Sequence, residues 1–380
     1  MTDRIRVLLL YGGRSAEHDV SRVSAVAAAA ALDSERYEVI PVGITTDGRW
    51  VLAHEARALL AGQREGLPEA FRVEGSPVTE VPDPQLRALV PLGSATDGEV
   101  VPGAGLEFDV VLPLLHGPYG EDGTVQGLFE LAGVPYVGSG VVGSAVGMDK
   151  VMMKRAFAAE GLPMVAYLVY RDGRDREVLR ERMVHELGYP CFVKPANMGS
   201  SVGVSKVVEA AGLDAALDRA LEFDEWLLVE EAVTAREIEV GVLGDDEPET
   251  SVPGEIVPGD DFYSYADKYE GEAAQLLAPA PLRPAATAEV RALAVAAFQA
   301  CRLEGMARID FFYEEHRADG SPGRGFLVNE VNTIPGFTPI SMFPRLWALS
   351  GVSYPALLDR LITHARERHE RRTRRAGRQR

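Results

Sequence analysis

The chain has 380 residues, of which 46% are hydrophobic and 25% are charged, as is usual for a globular protein of two or three domains. Its formal net charge of -18 argues against a general nucleic-acid-binding surface, although a local basic pocket for phosphates is compatible with it. Two cysteines are too few for a disulfide framework, and no apolar run is long enough to span a bilayer. We therefore expect a cytoplasmic protein that binds neither nucleic acid nor membranes.

The chain begins with the pattern of a doubly wound α/β domain. An apolar run at residues 4–10 predicts a buried strand, which a glycine turn connects to an alanine-rich helix at residues 23–32. Glu17 lies in this connection, and ligands bind at the carboxyl ends of such strands. A carboxylate stabilised by the helix dipole is the alternative, and the local sequence favours it. The glycines do not match G-x-G-x-x-G, so a dinucleotide site is weakly supported.

A glycine-rich stretch follows the next strong strand. Residues 50–105 are rich in Pro, Gly and Glu and predict a partly ordered excursion from the first domain. The strand predicted at residues 108–115 then runs into His116 and a stretch of closely spaced glycines up to Gly127. Such glycines are costly unless the backbone turns tightly or approaches a ligand. A lone histidine is usually structural, but these glycines favour a functional His116.

A second loop, rich in glycine and serine, predicts a phosphate site. A strand at residues 190–195 carries Lys194 just before this loop, and another strand follows. Backbone N–H groups and hydroxyls in such a loop can bind phosphate oxygens, and Lys194 can neutralise their charge. The stretch is not a Walker A loop, because G-x-x-x-x-G-K-[ST] is absent. An ordinary hairpin turn is the alternative, and we favour phosphate binding.

Two glutamates and an aromatic segment lie further along the chain. The strands predicted at residues 226–231 and 236–242 carry Glu230 and Glu237, which could bind the amine and ribose of an adenine nucleotide. Each could equally be a solvated charge. Residues 258–271 are polar and aromatic without clear periodicity, which is typical of a lid over a site. Tyrosines that merely pack on the surface are the alternative for this segment.

Two apolar segments, separated by Asp-Gly and Pro-Gly turns, predict an antiparallel hairpin at residues 307–333. Arg308 and Asp310 share one face of the first strand, because alternate side chains of a strand point the same way. Glu330 and Asn332 share a face of the second strand for the same reason. If these faces coincide, two carboxylates and an amide oxygen converge beside a guanidinium, and such oxygen ligands suit Mg²⁺. Two unrelated strands with solvent-facing charges are the alternative.

The chain ends with a predicted helix at residues 354–364 and a tail that is dense in arginine. Residues 366–380 contain few apolar side chains, so we expect them to be a solvated, frayed and disordered end. Nonspecific binding of a polyanion is the alternative for this tail.

Four motifs together resemble the D-alanine–D-alanine ligase family, ATP-grasp enzymes of peptidoglycan precursor synthesis. They lie in the family's order at residues 15–21, 116–127, 194–203 and 308–336. The resemblance implies an α/β protein with α+β character in its ATP-grasp part: a three-domain ATP-grasp fold with an N-terminal doubly wound parallel sheet domain. The implied units are residues 1–140 with the 50–105 insertion, the central subdomain 141–229, the C-terminal domain 230–365 with the lid loop 258–271, and the basic tail 366–380.

The resemblance also implies roles for individual residues. The implied catalytic residues are Glu17, Ser200, Tyr269, Arg308 and Gly336. Substrate binding is implied for His116, Ser341 and Met342. ATP binding is implied for Lys150, Lys194, Ser201, Glu230, Glu231, Glu237 and Lys268. Glu231 departs from the lysine often seen there, which matters little if the contact is made by its backbone. Two Mg²⁺ ions, with Mn²⁺ as an alternative, would be bound by Asp310, Glu330 and Asn332.

The implied activity is the ATP-dependent joining of two D-alanine molecules through an acyl phosphate, by a homodimer. Lys268 and Tyr269 look like the ordinary D-alanine form of the lid, because relatives that use D-lactate typically have histidine where this chain has Tyr269. We expect Tyr269→Phe to weaken lid closure and raise the KM for the second alanine. The alternatives are a ligase that takes D-lactate or D-serine second, another ATP-grasp carboxylate–amine ligase, and an ATP-binding sensor without enzyme activity.

Overall fold

In the residues that it describes, the computed structural model contains three β-sheets with helices packed against them. It describes residues 4–54, 56–57, 60, 68–80, 88–91, 105–257, 275–317, 319–338 and 340–375. Within these ranges, no helix is both long enough and apolar enough to cross a membrane.

The first sheet has a parallel centre and an antiparallel extension. Its strands are β1 (Ile5–Gly12), β2 (Tyr37–Ile44), β3 (Trp50–Leu52), β4 (Ser76–Glu80), β5 (Ala88–Pro91), β6 (Leu106–Glu107) and β7 (Val110–Pro113). They lie in the order β6-β5-β4-β3-β2-β1-β7. The central strand β1 pairs in parallel with β2 and β7, whereas the pairs from β2 outward to β6 are antiparallel. The predicted excursion at residues 50–105 therefore lengthens the sheet of the first domain.

Helices cover both faces of the parallel centre. They are α1 (His18–Ala31) and α2 (Thr124–Ala132). Val7 and Leu9 of β1 belong to a core with the alanines of α1, while Leu8 and Leu10 belong to a second core with Phe129 of α2. Because both faces of β1 are buried, its sequence is a continuous apolar run and not an alternating one. This burial fixes the strand end that leads to Glu17.

Two consecutive helices, α3 (Val141–Met148) and α4 (Lys150–Ala159), lead to the second sheet. Asp149 caps α4, since its side chain accepts a hydrogen bond from the Met152 N–H at 2.9 Å. The second sheet contains β8 (Tyr167–Arg171), β9 (Cys191–Pro195), β10 (Ser205–Val207) and β11 (Trp226–Glu231). Its order is β10-β9-β11-β8, and all its pairs are antiparallel. The helices α5 (Arg176–Glu186) and α6 (Leu213–Leu221) share its hydrophobic core.

The third sheet carries the predicted hairpin. Its strands are β12 (Arg236–Gly244), β13 (Glu249–Thr250), β14 (Gly254–Val257), β15 (Gln275–Leu277), β16 (Gly305–His316) and β17 (Pro322–Asn332). They run in the order β15-β14-β12-β16-β17, with β13 beside β12. The helices α7 (Pro284–Ala300) and α8 (Met342–Leu349) pack against β12. The strands β16 and β17 pair antiparallel, as their sequences predict.

The last helix, α9 (Tyr354–Thr373), extends beyond the helix that the sequence predicts. Its first half places Leu357 and Leu361 in the core that also contains Val7 of β1. The helix then continues into the arginine-rich segment. The C-terminal helix therefore packs on the first domain although it follows the third sheet in sequence.

The expectation of a disordered tail from residue 366 is wrong as far as Thr373. Arg368 is only 3% exposed, because its guanidinium donates hydrogen bonds to the backbone carbonyl oxygens of Tyr136, at 2.7 Å, and Gly138. Arginine content alone indicated a solvated end, but this arginine has specific acceptors in another part of the chain. Residues 376–380 lie outside the described residues.

Candidate active site

Two adjoining cavities, of about 540 and 210 Å³, bring together residues of all three sheets. Every predicted site residue within the described ranges lines at least one of them. The larger cavity is lined by Glu17, His116, Lys150, Ser200, Arg308, Glu330, Asn332, Gly336, Ser341 and Met342. The smaller cavity is lined by Lys150, Lys194, Ser200, Ser201, Glu230, Glu231, Glu237, Arg308, Asp310 and Glu330. Lys268 and Tyr269 lie outside the described residues.

The hairpin β16–β17 aligns its polar side chains across the two strands. Asp310 lies directly opposite Glu330, and Arg308 lies opposite Asn332. The register shifts immediately after Asp310, as in a β-bulge, and such irregularities often redirect side chains beside active sites. The Asn332 amide donates to Asp310 Oδ2 at 2.9 Å. The convergence of two carboxylates and an amide that the sequence predicts is therefore present.

Arg308 contributes a positive charge of fixed orientation to the larger cavity. Its Nε and Nη2 donate to the two oxygens of Asp310 at 2.8 and 2.7 Å, and Nε lies 3.1 Å from Glu239 Oε1. Burial alone would lower the pKa of Arg308, but the carboxylates of Asp310 and Glu239 raise it well above the ordinary value. The guanidinium thus stays protonated and is held in one orientation by a two-pronged contact.

Glu17 connects the first domain to the loop after β9. It precedes α1, and its Oε1 accepts a hydrogen bond from Ser200 Oγ at 2.6 Å. Ser200 and the next residue, Ser201, both have left-handed backbones, with φ of 49° and 58°. Such conformations are unfavourable for L-residues, so the loop is held in a specific shape. This shape brings the Ser200 hydroxyl group within hydrogen-bonding distance of the Glu17 carboxylate, which lies 183 residues earlier in the sequence.

The glycine-rich stretch after β7 holds the loop that follows β17. His116 Nδ1 lies 2.9 Å from the Ile334 carbonyl oxygen, which can only accept, so Nδ1 carries a proton. Glu121 accepts hydrogen bonds from the N–H groups of Gly117 and Ile334 at 2.7 and 2.8 Å. Burial, together with the charge of Glu17, raises the pKa of Glu121 to about 8. We call the contacts of His116 and Glu121 with Ile334 the loop clamp.

A site suited to a carboxylate lies at the start of α8. Ser341 immediately precedes this helix, and its hydroxyl lies 2.7 Å from Thr338 Oγ1. Unpaired N–H groups and the helix dipole favour an anion at such an end. A side chain at Gly336 would place its Cβ 3.1 Å from Ser341 Oγ, so glycine keeps this approach open.

The smaller cavity contains the predicted phosphate-binding lysines. Lys150 Nζ donates to the Met198 carbonyl oxygen at 2.5 Å, and burial lowers the pKa of Lys150. Lys194 Nζ lies 2.5 Å from Glu230 Oε2. Burial would lower the pKa of Lys194, but Glu230 raises it overall. Two ammonium groups therefore line a cavity next to the carboxylates of the hairpin.

Comparison with known proteins agrees with this geometry. The family models described as "D-ala D-ala ligase N-terminus" and "D-ala D-ala ligase C-terminus" match residues 6–139 and 156–363. A D-alanine–D-alanine ligase of Streptomyces griseus is 50% identical over 376 residues, which cover 96% of this chain and 93% of that protein. The chain belongs to the D-alanine–D-alanine ligase family.

Solved structures of this family share the fold. The D-alanine–D-alanine ligase from Coxiella burnetii is 33% identical with a TM-score of 0.80, and the match covers 98% of this chain and 97% of that one. The VanG D-Ala:D-Ser ligase from Enterococcus faecalis is 31% identical with a TM-score of 0.80, covering 96% and 100% of the two chains. The three-sheet architecture described above is therefore the ATP-grasp fold of these ligases.

The side chain of Glu231, where the family resemblance leads us to expect lysine, makes contacts within the protein. Glu231 Oε1 accepts hydrogen bonds from the Ala166 N–H at 2.7 Å and from Arg324 Nη1 at 2.6 Å. Its side chain thus joins the second sheet to the hairpin. Glu231 also lines the smaller cavity, so it lies where a ligand could reach it.

The oxygen atoms of the hairpin fit a hard divalent cation. Asp310 and Glu330 supply carboxylates and Asn332 supplies an amide oxygen. Glu330 lines both cavities, Asp310 lines the smaller one and Asn332 lines the larger one. Among the described residues, the hairpin included, no group of three or more His, Cys, Asp and Glu side chains is arranged to bind a metal. The hairpin site contains two carboxylates, so it is a site that substrate phosphates would have to complete.

Three residues of the site were not singled out by sequence reasoning. Glu121 belongs to the loop clamp, Glu239 pairs with Arg308, and Lys154 pairs with Glu230. Each makes a contact between distant parts of the chain, which periodicity cannot indicate. The position of Glu121 inside the glycine-rich stretch was the one available signal.

Proposed function

We propose that this chain is an ATP-dependent ligase that joins two D-alanine molecules into D-alanyl-D-alanine for peptidoglycan synthesis, releasing ADP and phosphate. The observation that carries the proposal is one cavity that is lined by the Glu17–Ser200 contact, by Arg308, whose guanidinium Asp310 holds in place, and by Gly336 beside Ser341. These groups suit an ammonium, a developing oxyanion and a carboxylate, which are the charged parts of the reactants. The names of the relatives at 50% and 33% identity support the same reaction.

The first step of the proposed reaction activates a carboxylate. Glu17 binds the ammonium of the first D-alanine, with His116 nearby. The carboxylate of this alanine takes the γ-phosphate of ATP, which gives an acyl phosphate and ADP. Lys150 and Lys194 neutralise the phosphate charge, and by the family resemblance Lys268 would join them. Ser201, Glu230, Glu231 and Glu237 would contact the rest of the nucleotide.

The second step forms the peptide bond. The amine of the second D-alanine attacks the acyl carbon, the new C–N bond forms, the C–O bond to phosphate breaks and the nitrogen loses a proton. Arg308 and the Gly336 N–H stabilise the oxyanion of the tetrahedral intermediate. Ser341, with Met342 beside it, binds the carboxylate of the second alanine. By the family resemblance, Ser200 and Tyr269 would link Glu17 to the lid and help to orient this substrate.

Asp310, Glu330 and Asn332 are proposed to hold two Mg²⁺ ions, or Mn²⁺, which supply charge neutralisation on the phosphate oxygens. The fit rests on their oxygen chemistry and their register in the hairpin. A homodimer and a cytoplasmic location remain predictions from the family resemblance.

Phosphate release from Mg-ATP tests the proposal directly. It is measured with D-alanine alone, with D-alanine plus D-lactate or D-serine, and with L-alanine, and the product is identified by mass. We expect release and the dipeptide with D-alanine alone. A requirement for D-lactate or D-serine would keep the mechanism and change the second substrate. The absence of phosphate release with every substrate pair, while ATP still binds, would overturn the ligase assignment.

A pair of matched variants tests the metal site. Asp310→Asn removes one of the two hairpin carboxylates, and we expect phosphate release to fall about a hundredfold or more. Asp319→Asn makes the same change in the exposed turn of the same hairpin and should leave the rate unchanged. Equal rates in the two variants would contradict a metal role for Asp310.

A further inference from the structure

Two buried charged side chains lie behind the smaller cavity. Lys154 of α4 and Glu230 of β11 are each 1% exposed, and Lys154 Nζ lies 2.6 Å from Glu230 Oε1. The other oxygen of the carboxylate, Oε2, lies 2.5 Å from Lys194 Nζ. Lys194 lines the cavity, whereas Lys154 approaches the carboxylate from the side of α4. Glu230 therefore has one cation facing the cavity and one in the protein interior.

The two lysines keep the carboxylate charged. Burial alone would raise the pKa of Glu230, but the charges of Lys154 and Lys194 outweigh burial and hold the pKa well below its ordinary value. In the proposed reaction Lys194 also serves the phosphates of ATP. When Lys194 turns toward phosphate, Glu230 Oε2 loses its partner, and Lys154 is the cation that stays.

Lys154 is well placed to remain where it is. Its ammonium lies 5.6 Å from the centre of the Tyr167 ring, and Tyr167 lies directly opposite Glu230 on the neighbouring strand. The aromatic face and the carboxylate together hold the cation. Because Lys154 and Glu230 are both buried, water cannot take the place of Lys194 beside the carboxylate when Lys194 moves away.

We propose that Lys154 is a positioning residue that keeps Glu230 ionised and holds Oε1, so that Oε2 is left to accept a hydrogen bond from the exocyclic amine of adenine. This inference rests on the proposed function and adds a determinant of base selectivity to it. A charged carboxylate only accepts hydrogen bonds. It favours adenine, which presents a donor amine, over hypoxanthine, which presents a carbonyl oxygen at the same position.

Loss of Lys154 should weaken this discrimination. Without the interior cation, a buried Glu230 either keeps Lys194 away from the phosphates or takes up a proton. A neutral carboxyl can donate a hydrogen bond to the hypoxanthine carbonyl as well as accept one from adenine. Both outcomes reduce the preference for adenine.

The experiment compares the binding of Mg-ATP and Mg-ITP by calorimetry in the absence of D-alanine. We expect the native chain to bind ATP more tightly than ITP by about tenfold or more, as for hydrogen bonds to charged groups. Lys154→Met should bring the two Kd values to within about threefold of each other, and Lys154→Arg should restore part of the difference. Arg155→Met removes an exposed charge from the next position of α4 and should keep the native ratio.

The ratio of the two Kd values decides the outcome. If Lys154→Met weakens ATP and ITP binding by the same factor, Lys154 has a structural role only and the proposal is overturned. If Lys154→Met does not fold, the double variant Lys154→Met/Glu230→Gln leaves no unpaired carboxylate behind the cavity. A native ratio in that double variant would also overturn the proposal. A native chain that binds neither nucleotide would contradict the proposed function itself.

Discussion

At the scale of single residues, Ile334 is held through both its N–H and its carbonyl group. Glu121 accepts from the N–H and His116 Nδ1 donates to the carbonyl oxygen. Gly336, the proposed oxyanion donor, lies two residues further along the same loop. Because a misplacement of about 1 Å can cost much of a group's catalytic effect, the loop clamp is expected to matter for the reaction although neither bond touches the reacting atoms.

Glu121→Gln should loosen the loop clamp. The carboxyl group of Glu121 accepts two backbone N–H groups on different oxygens, whereas the amide has one acceptor oxygen and turns a donor toward the second N–H. We expect kcat to fall about tenfold to a hundredfold and the KM for D-alanine to rise, while ATP binds as before. Steady-state kinetics and an ATP titration check this. An equal loss of ATP affinity would contradict a local role.

The role of Glu121 could not be predicted from the sequence, because 213 residues separate it from Ile334. The same limit applies to Lys154 and Glu239, whose partners lie on other elements. Arg308 and Asp310 could be predicted as neighbours, because the period of a strand places them on one face. Contacts within one element follow from local geometry, and contacts between domains do not.

Glu80 is a buried carboxyl group outside the site. Neither of its oxygens has a hydrogen-bond partner among the described residues, and burial raises its pKa to about 7. The unfolded chain releases this proton near pH 4.5. The folded state therefore holds the extra proton between about pH 4.5 and 7, and stability is lost as the pH rises through this range.

Glu80→Gln should remove this pH dependence. We expect the native chain to lose up to about 3 kcal/mol of stability between pH 4.5 and 8 relative to the variant. Thermal unfolding at pH 5 and pH 8 measures the difference, and Glu74→Gln, an exposed glutamate of the same region, serves as control. Parallel pH profiles for the native chain and Glu80→Gln would show that Glu80 ionises normally.

At the scale of secondary-structure elements, the hairpin and the last helix differ in how well the sequence predicts them. The hairpin β16–β17 follows from two apolar strands and a turn between them, and its register agrees with the predicted side-chain faces. The last helix is longer than predicted, because the arginine-rich composition of its second half predicts a solvated segment. The burial of Arg368 in this segment depends on hydrogen bonds to the carbonyl oxygens of Tyr136 and Gly138, and no local sequence pattern indicates these partners.

Arg368→Met should show that α9 fastens the C-terminal segment to the first domain. The change leaves two backbone carbonyl groups without their donor, and we expect a loss of about 2–4 kcal/mol in the free energy of unfolding. Arg374→Met, at an exposed position near the end of α9, should have little effect. Chemical denaturation compares the two variants. A disordered tail would predict the same stability for both.

At the scale of the whole molecule, the proposed site is complete only when all three sheets meet. Glu17 comes from the first domain, Ser200 from the loop of the second sheet, and Arg308 from the third. The hydrogen bond between Glu17 and Ser200 is therefore a contact between domains as well as part of the site. Substrate binding and domain closure are expected to favour each other.

Ser200→Ala should separate these two effects. Its hydroxyl donates to a charged carboxylate, so we expect kcat/KM for D-alanine to fall about tenfold and the KM for ATP to stay within about twofold. Ser201→Ala, with a similar left-handed backbone, should instead raise the KM for ATP. Hydrogen exchange of the loop at residues 196–204 should become faster in Ser200→Ala. Identical kinetic changes in the two variants would argue for a general disturbance of the loop.

The Arg308–Asp310 contact affects how a divalent ion would enter the proposed site. Because the guanidinium already balances one hairpin carboxylate, a bare divalent ion gains little by entering alone. An ion that arrives on nucleotide phosphates brings its own oxygen ligands and needs fewer from the protein. If the chain acts as proposed, the magnesium–nucleotide complex would enter the site as one unit, and free magnesium alone would bind there only weakly.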